Sequence, residues 1–143
     1  MRTRRVAASF FLVILFSLLV TPSAQVQPQT VLSQLKTTAE RTNFVETSRY
    51  ADVVDFLNKV ASVSELVHMT NMGYSLEGRA LPLAVVGRIS DARPETVKAS
   101  GKLRVYLQAN VHAGEVEGKE STQALVRDIA MGRYAPWLES MVL

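Results

Sequence analysis

The chain has 143 residues, 48% of them hydrophobic and 20% charged, with 16 basic and 13 acidic side chains and a formal net charge of +3. Three of the basic residues, Arg2, Arg4 and Arg5, fall in the first 24 positions, which hold no acid, so the rest of the chain carries 13 charges of each sign. That balance gives no footprint for nucleic acid or another polyanion, and the absence of cysteine excludes a disulfide framework and a lipid-modified N-terminal cysteine.

Residues 1–24 have the layout of a secretory signal: the three arginines, an apolar run from Phe10 to Phe16 with Leu18-Leu19-Val20, then small residues ending at Ala24. A membrane-spanning helix wants about 20 apolar residues, and this run is shorter and stops at Pro22. The expected product is exported, periplasmic or extracellular, with no stable membrane anchor once the signal is cleaved. Residues 25–44 are rich in Gln and Thr and read as a loosely ordered lead-in. A domain is expected over residues 45–143.

Within that domain, Thr47 or Ser48 can cap a helix whose apolar residues, Tyr50, Val53, Val54, Leu57, Val60 and Ala61, recur at spacings of three and four. Leu66 to Tyr74 and Leu81 to Val86 read as a hairpin around Ser75-Leu76-Glu77-Gly78-Arg79, where Gly78 can take a positive φ. Pro82 lacks a donor, so the second strand is expected near an edge or irregularly paired. Ser90 to Gly101 is a polar excursion, a loop or short helical turn. Leu103 to Asn110 is the strongest strand. Val116 to Met131 has a helical stripe of Thr122, Leu125, Val126, Ile129 and Ala130, stopped by Gly132. Trp137 to Leu143 reads as the opening of a further strand. This order is α/β, and an apolar strand without a polar tail implies a domain continuing past Leu143.

The residues that can carry chemistry are His112 and Glu115, at the end of the Leu103–Asn110 strand. A catalytic zinc takes three protein ligands and a water; an imidazole fixed by a strand and a carboxylate three residues on, where the chain turns into a helix, can supply two. The helix start also favours negative charge, and ligands in open α/β sheets bind beyond the carboxyl ends of the strands. Spacing alone leaves open a plain alternative, in which His112 ends a strand and Glu115 starts a helix. His68 reads as a structural histidine, Glu77 and Arg79 as partners across the turn, Glu117 and Glu120 as a solvated first helical turn, and Tyr134 and Trp137 as packing residues.

Asn110-Val111-His112-Ala113-Gly114-Glu115 resembles the first metal motif of the zinc carboxypeptidases related to carboxypeptidase A, and Ser75-Leu76-Glu77-Gly78-Arg79 resembles the turn that precedes it there. The two motifs stand in the family's order over roughly residues 45–143. The resemblance implies an N-terminal portion of a mixed β-sheet flanked by helices, with Zn2+ as cofactor, His112 and Glu115 as its first two ligands, and a peptide or protein substrate. The family's third ligand and general base lie further along than Leu143, so no catalytic residue is expected in this stretch. Digestive members carry Arg before the zinc glutamate and an aromatic residue after it; here Gly114 and Val116 stand in those places, which argues against digestive specificity. The expected function is an exported zinc metallopeptidase of the carboxypeptidase type. The alternatives are a zinc-dependent deacylase or amidase of related fold, or an exported fragment without activity.

Overall fold

The computed structural model describes residues 27–143; the expected signal segment, 1–24, lies outside them. Two short helices come first, α1 (Pro28–Gln34) and α2 (Thr38–Arg41). They correct the expectation of a loose lead-in. Pro28 sits in the first turn of α1, where its missing N–H costs nothing. Thr37 and Glu40 form a reciprocal capping box on α2. Leu32 is 1% exposed and belongs to the core, so this segment is held by burial as well as by local hydrogen bonds.

Helix α3 (Tyr50–Val63) is capped one residue past Ser48 and two past Thr47, its expected caps. The N-cap is Arg49, whose N–H donates to Asp52 at 2.8 Å. Thr47 and Ser48 are used elsewhere, both bonding to Glu120. The buried face of α3 is Phe56, Leu57 and Val60, with Val53 and Ala61 packed beside it.

Strands β1 (Val67–Tyr74) and β2 (Ala80–Val86) form the expected antiparallel hairpin, pairing Val67 with Val86 and Thr70 with Leu83. The register breaks between Asn71 and Tyr74, opposite Pro82, which cannot donate to a ladder. The connecting turn closes through Ser75 N–H to Arg79 carbonyl at 2.8 Å, with Gly78 at φ +76°. Helix α4 (Pro94–Ala99) occupies the polar excursion.

The remaining strands are short. Strand β3 (Leu103–Arg104) runs parallel to β4 (Met141–Val142). Val105 N–H still reaches Val142 carbonyl at 2.8 Å, and Val86 and Leu143 exchange both backbone bonds, at 2.8 and 3.0 Å. Hydrogen bonding therefore links the strands in the order β1-β2-β4-β3, a mixed sheet with antiparallel and parallel joints. The expected strand to Asn110 is correct in direction but not in pairing: Val105–Asn110 runs on without a bend or turn, and it has no ladder because β4 flanks only its beginning. Trp137–Leu143 likewise opens as a single helical turn, α6 (Trp137–Ser140), before reaching β4. That turn sinks Leu138 to 0% exposure.

Helix α5 (Val116–Ala130) follows the His112–Glu115 turn and ends on Gly132, at φ +88°, whose N–H bonds Ile129 carbonyl while Arg133 N–H reaches back to Asp128 carbonyl. Val126 and Ile129 of α5, the buried face of α3, and Val67 and Val86 of the hairpin share one core. The fold is α/β, as expected. Among the described residues no helix is long and apolar enough to cross a membrane.

Candidate metal site

His112 and Glu115 come together at the sheet-to-helix junction. Nδ1 of His112 lies 3.0 Å from Oε1 of Glu115. Glu115 N–H donates to His112 carbonyl at 3.0 Å, closing the turn between them. Glu115 is the N-cap of α5, yet its carboxylate makes no capping bond, which leaves it free to face the imidazole. Both side chains are open to solvent, at 79% and 56% exposure.

Asn110 shapes the approach. It has φ +58°, a left-handed conformation that asparagine tolerates better than most residues. Its Nδ2 donates to His112 carbonyl at 3.2 Å. The turn therefore starts from a kinked backbone pinned by a side chain. Position 114 has nothing within 4 Å of a notional Cβ, so Gly114 leaves the space beside the pair open.

Behind the pair, α5 is fastened on two sides. Gly118 brings the helix against Ala109, whose Cβ would lie 3.5 Å from a Cβ built on the glycine. One turn deeper, Glu120 accepts from Thr47 Oγ1 at 2.9 Å, Ser48 N–H at 2.6 Å and Ser48 Oγ at 3.0 Å, while Lys119 Nζ donates to the Ser48 carbonyl. Burial alone would push the Glu120 carboxyl up; the donors from Ser48 and Thr47 and the Lys119 charge outweigh it, and its pKa lies below the ordinary range. This corrects the expected solvated first turn at Glu120, whose side chain is only 12% exposed; Glu117 is exposed as expected.

Other residues take structural places. His68 Nε2 meets Ile89 carbonyl at 3.0 Å. Arg79 and Glu77 pair at 3.0 Å in the open. Tyr134 and Trp137 stack with ring centroids 4.4 Å apart. Sequence reasoning overlooked Gln123, 2% exposed inside α5, and the Glu40–Arg127 pair at 2.6 and 2.8 Å. Both are ordinary polar residues on a helix surface pattern, and only tertiary packing buries them.

Two ligand atoms on a tetrahedral zinc stand about 3.3 Å apart, given metal–ligand bonds of roughly 2.0–2.2 Å. The 3.0 Å pair needs to open by only a few tenths of an ångström to receive one. Imidazole nitrogen and carboxylate oxygen are the donors such a zinc takes, so the residues present fit the metal as two of its ligands. Among the described residues, no group of three or more His, Cys, Asp or Glu is placed to hold a metal.

An imidazole facing a helix-start carboxylate, on a mixed α/β sheet, is the arrangement the structure offers for comparison with known proteins. The family profile described as zinc carboxypeptidase matches residues 53–135, more than half of the chain and including both the Ser75–Arg79 turn and the His112–Glu115 pair. The chain belongs to the zinc carboxypeptidase family. No curated protein and no solved structure gives a significant match.

Proposed function

We propose that the protein is an exported zinc-dependent metallopeptidase of the carboxypeptidase type, acting on a peptide or protein substrate, with His112 and Glu115 as two of the zinc ligands. The observation that carries this reading is the 3.0 Å approach of His112 Nδ1 to an uncapped Glu115 carboxylate, within a chain of this family. When bound, zinc polarises the scissile carbonyl and lowers the pKa of a water to make it a nucleophile. His112 would hold the metal through an imidazole nitrogen and Glu115 through its carboxylate, with Asn110 positioning them by pinning the His112 carbonyl. Export rests on the layout of residues 1–24, and the exposed pair leaves room for an extended substrate.

Equilibrium dialysis with elemental analysis should find zinc bound to the chain and lost in both His112→Ala and Glu115→Gln. Zinc content unchanged in both variants overturns the ligand assignment. Where hydrolysis is measured, a peptide with a free C-terminal carboxylate should be cleaved and its C-terminal amide spared. Preference for an N-acyl amino acid would shift the reading to a deacylase.

A further inference from the structure

The half of α5 that follows Glu115 is seated by polar contacts with a single residue. Ser48, 3% exposed, lies just before the N-cap of α3 and gives its N–H, hydroxyl and carbonyl to α5. The N–H donates to Glu120 Oε1 at 2.6 Å. The hydroxyl donates to Glu120 Oε2 at 3.0 Å and accepts from Gln123 Nε2 at 3.3 Å. The carbonyl accepts from Lys119 Nζ. Lys119 and Glu120 are themselves mostly covered, at 18% and 12% exposure. Apolar burial fixes the other half of the helix, where Val126 and Ile129 enter the core.

Contacts placed in this way resist rotation of the helix about its axis. Neighbouring residues leave a helix about 100° apart, so Lys119 and Glu120 grip Ser48 from two directions. Turning α5 either way lengthens one set of bonds. Ser48 cannot follow the turn, because Arg49 N–H is bonded to Asp52 at 2.8 Å and α3 buries Phe56, Leu57 and Val60. Rotation is felt most at Glu115. Its carboxylate makes no capping bond, and the turn before it is held by its own N–H on the His112 carbonyl and by Asn110 Nδ2 on the same oxygen. A side-chain group about 5–6 Å from the helix axis moves about 0.3 Å for a rotation of about 3°. That is the whole opening the 3.0 Å pair needs to receive a zinc, and about 10° of slack would shift the carboxylate by about 1 Å.

Resting on the reading of His112 and Glu115 as zinc ligands, we propose that Ser48 is a positioning residue for that site: by fixing the rotation of α5 it sets how far the Glu115 carboxylate stands from the His112 imidazole. Ser48 acts through Lys119, Glu120 and Gln123, and its hydroxyl serves both Glu120 and Gln123. Its removal therefore leaves the fold in place and loosens the half of the helix that begins at Glu115.

The test compares variants of the full chain, first without metal and then with zinc. In the metal-free protein, hydrogen exchange of the Glu115 N–H should be about tenfold faster in Ser48→Ala. Zinc Kd by equilibrium dialysis should rise about tenfold, the low end for groups that orient a ligand. Glu120→Ala should match Ser48→Ala in both measurements. Glu120→Gln, which discharges the side chain but keeps an acceptor for the Ser48 N–H, should stay within about threefold of wild type. Leu138→Ala removes packing from the core and should lower the urea midpoint more than Ser48→Ala, with both measurements again within about threefold. A Ser48→Ala protein with a lower urea midpoint but unchanged Glu115 exchange and zinc Kd overturns the proposal, since its role is then structural only. Equal effects of Glu120→Gln and Glu120→Ala overturn it in favour of charge, and equal effects of Leu138→Ala overturn it in favour of global stability. Zinc retained in both His112→Ala and Glu115→Gln is instead the failure of the ligand reading, and Glu115 exchange in the metal-free variants then decides the positioning role by itself.

Discussion

The Glu40–Arg127 pair ties the N-terminal helices to α5, and its removal should show how far that segment depends on one contact. Arg127 gives Nη1 and Nη2 to the two carboxylate oxygens at 2.6 and 2.8 Å, and Nη1 also reaches Leu35 carbonyl at 2.9 Å. The side chains are 14% and 28% exposed, so solvent screens the pair only in part. Exposed ion pairs contribute up to about 1 kcal/mol, and breaking a fully buried pair costs about 3–5 kcal/mol. Arg127→Met, which strands a largely desolvated carboxylate, should fall between, at about 2–3 kcal/mol. Glu40→Gln keeps an acceptor and should cost about 1–2 kcal/mol, and the double mutant should reveal a coupling of about 1–2 kcal/mol. Urea unfolding reads this directly, since about 2 kcal/mol moves the midpoint by roughly 1 M at a slope of about 2 kcal/mol/M. The Arg127 guanidinium, through its hydrogen bonds, holds the Glu40 carboxyl below its ordinary value of 4.5. A depressed carboxylate contributes in full above the unfolded-state pKa and loses its contribution as pH falls through the folded value. The stability difference between wild type and Glu40→Gln should thus be flat from pH 6 upward and shrink below about 4.5. A coupling under about 0.3 kcal/mol, or a difference independent of pH, would refute the reasoning.

Other perturbations test separate parts of the structure. Leu138 is fully buried, and Leu138→Ala should cost about 3–4 kcal/mol in urea unfolding while sparing the His112–Glu115 turn. Gln123 Oε1 is buried without a partner among the described residues, and its Nε2 bonds are long, at 3.3 Å; Gln123→Met removes the unmet acceptor and should be neutral or stabilising by up to about 1 kcal/mol. Asn110→Ala loses a hydrogen bond and strains a φ of +58°, so it should cost about 1–2 kcal/mol, and Asn110→Gly should recover about 1 kcal/mol of that by relieving the backbone. Equal unfolding midpoints for the Ala and Gly variants would show that the hydrogen bond alone matters.

The parts of the fold legible in sequence are those set by local rules. The hairpin was readable because Gly78 supplies the positive φ its turn needs, and α5 because Val126 and Ile129 fall on one face with Gly132 after them. The cap of α3 falls one residue past Ser48 and two past Thr47 because both look like caps, and the sequence does not show that Glu120, 72 and 73 residues away, takes their donors. The same blindness to distant partners made residues 25–44 look loose. Arg127 and the core around Leu32 hold the described part of that segment, residues 27–44, and neither leaves a local periodicity. In the site, the His112–Glu115 spacing was legible and the role of Asn110 was not, since its left-handed φ is a property of the turn as folded.

The geometry of the His112–Glu115 pair depends on contacts well away from it. His112 ends a line fixed at its start by β4, through Val105 and Val142, and Glu115 begins a helix fixed one turn later. Lys119 and Glu120 clamp that helix to the chain entering α3, and Gly118 sets its distance from Ala109. Within the turn itself only Asn110 and one backbone bond hold the two side chains, and both are solvent-exposed. Spacing of the imidazole and the carboxylate is therefore inherited from the seating of α5 between the Ala109 backbone and the start of α3. A substitution that loosens that seating disturbs the pair without touching either side chain. Glu120→Ala is the direct case: it leaves Thr47 Oγ1, Ser48 N–H and Ser48 Oγ without their acceptor, while Lys119 Nζ keeps the Ser48 carbonyl.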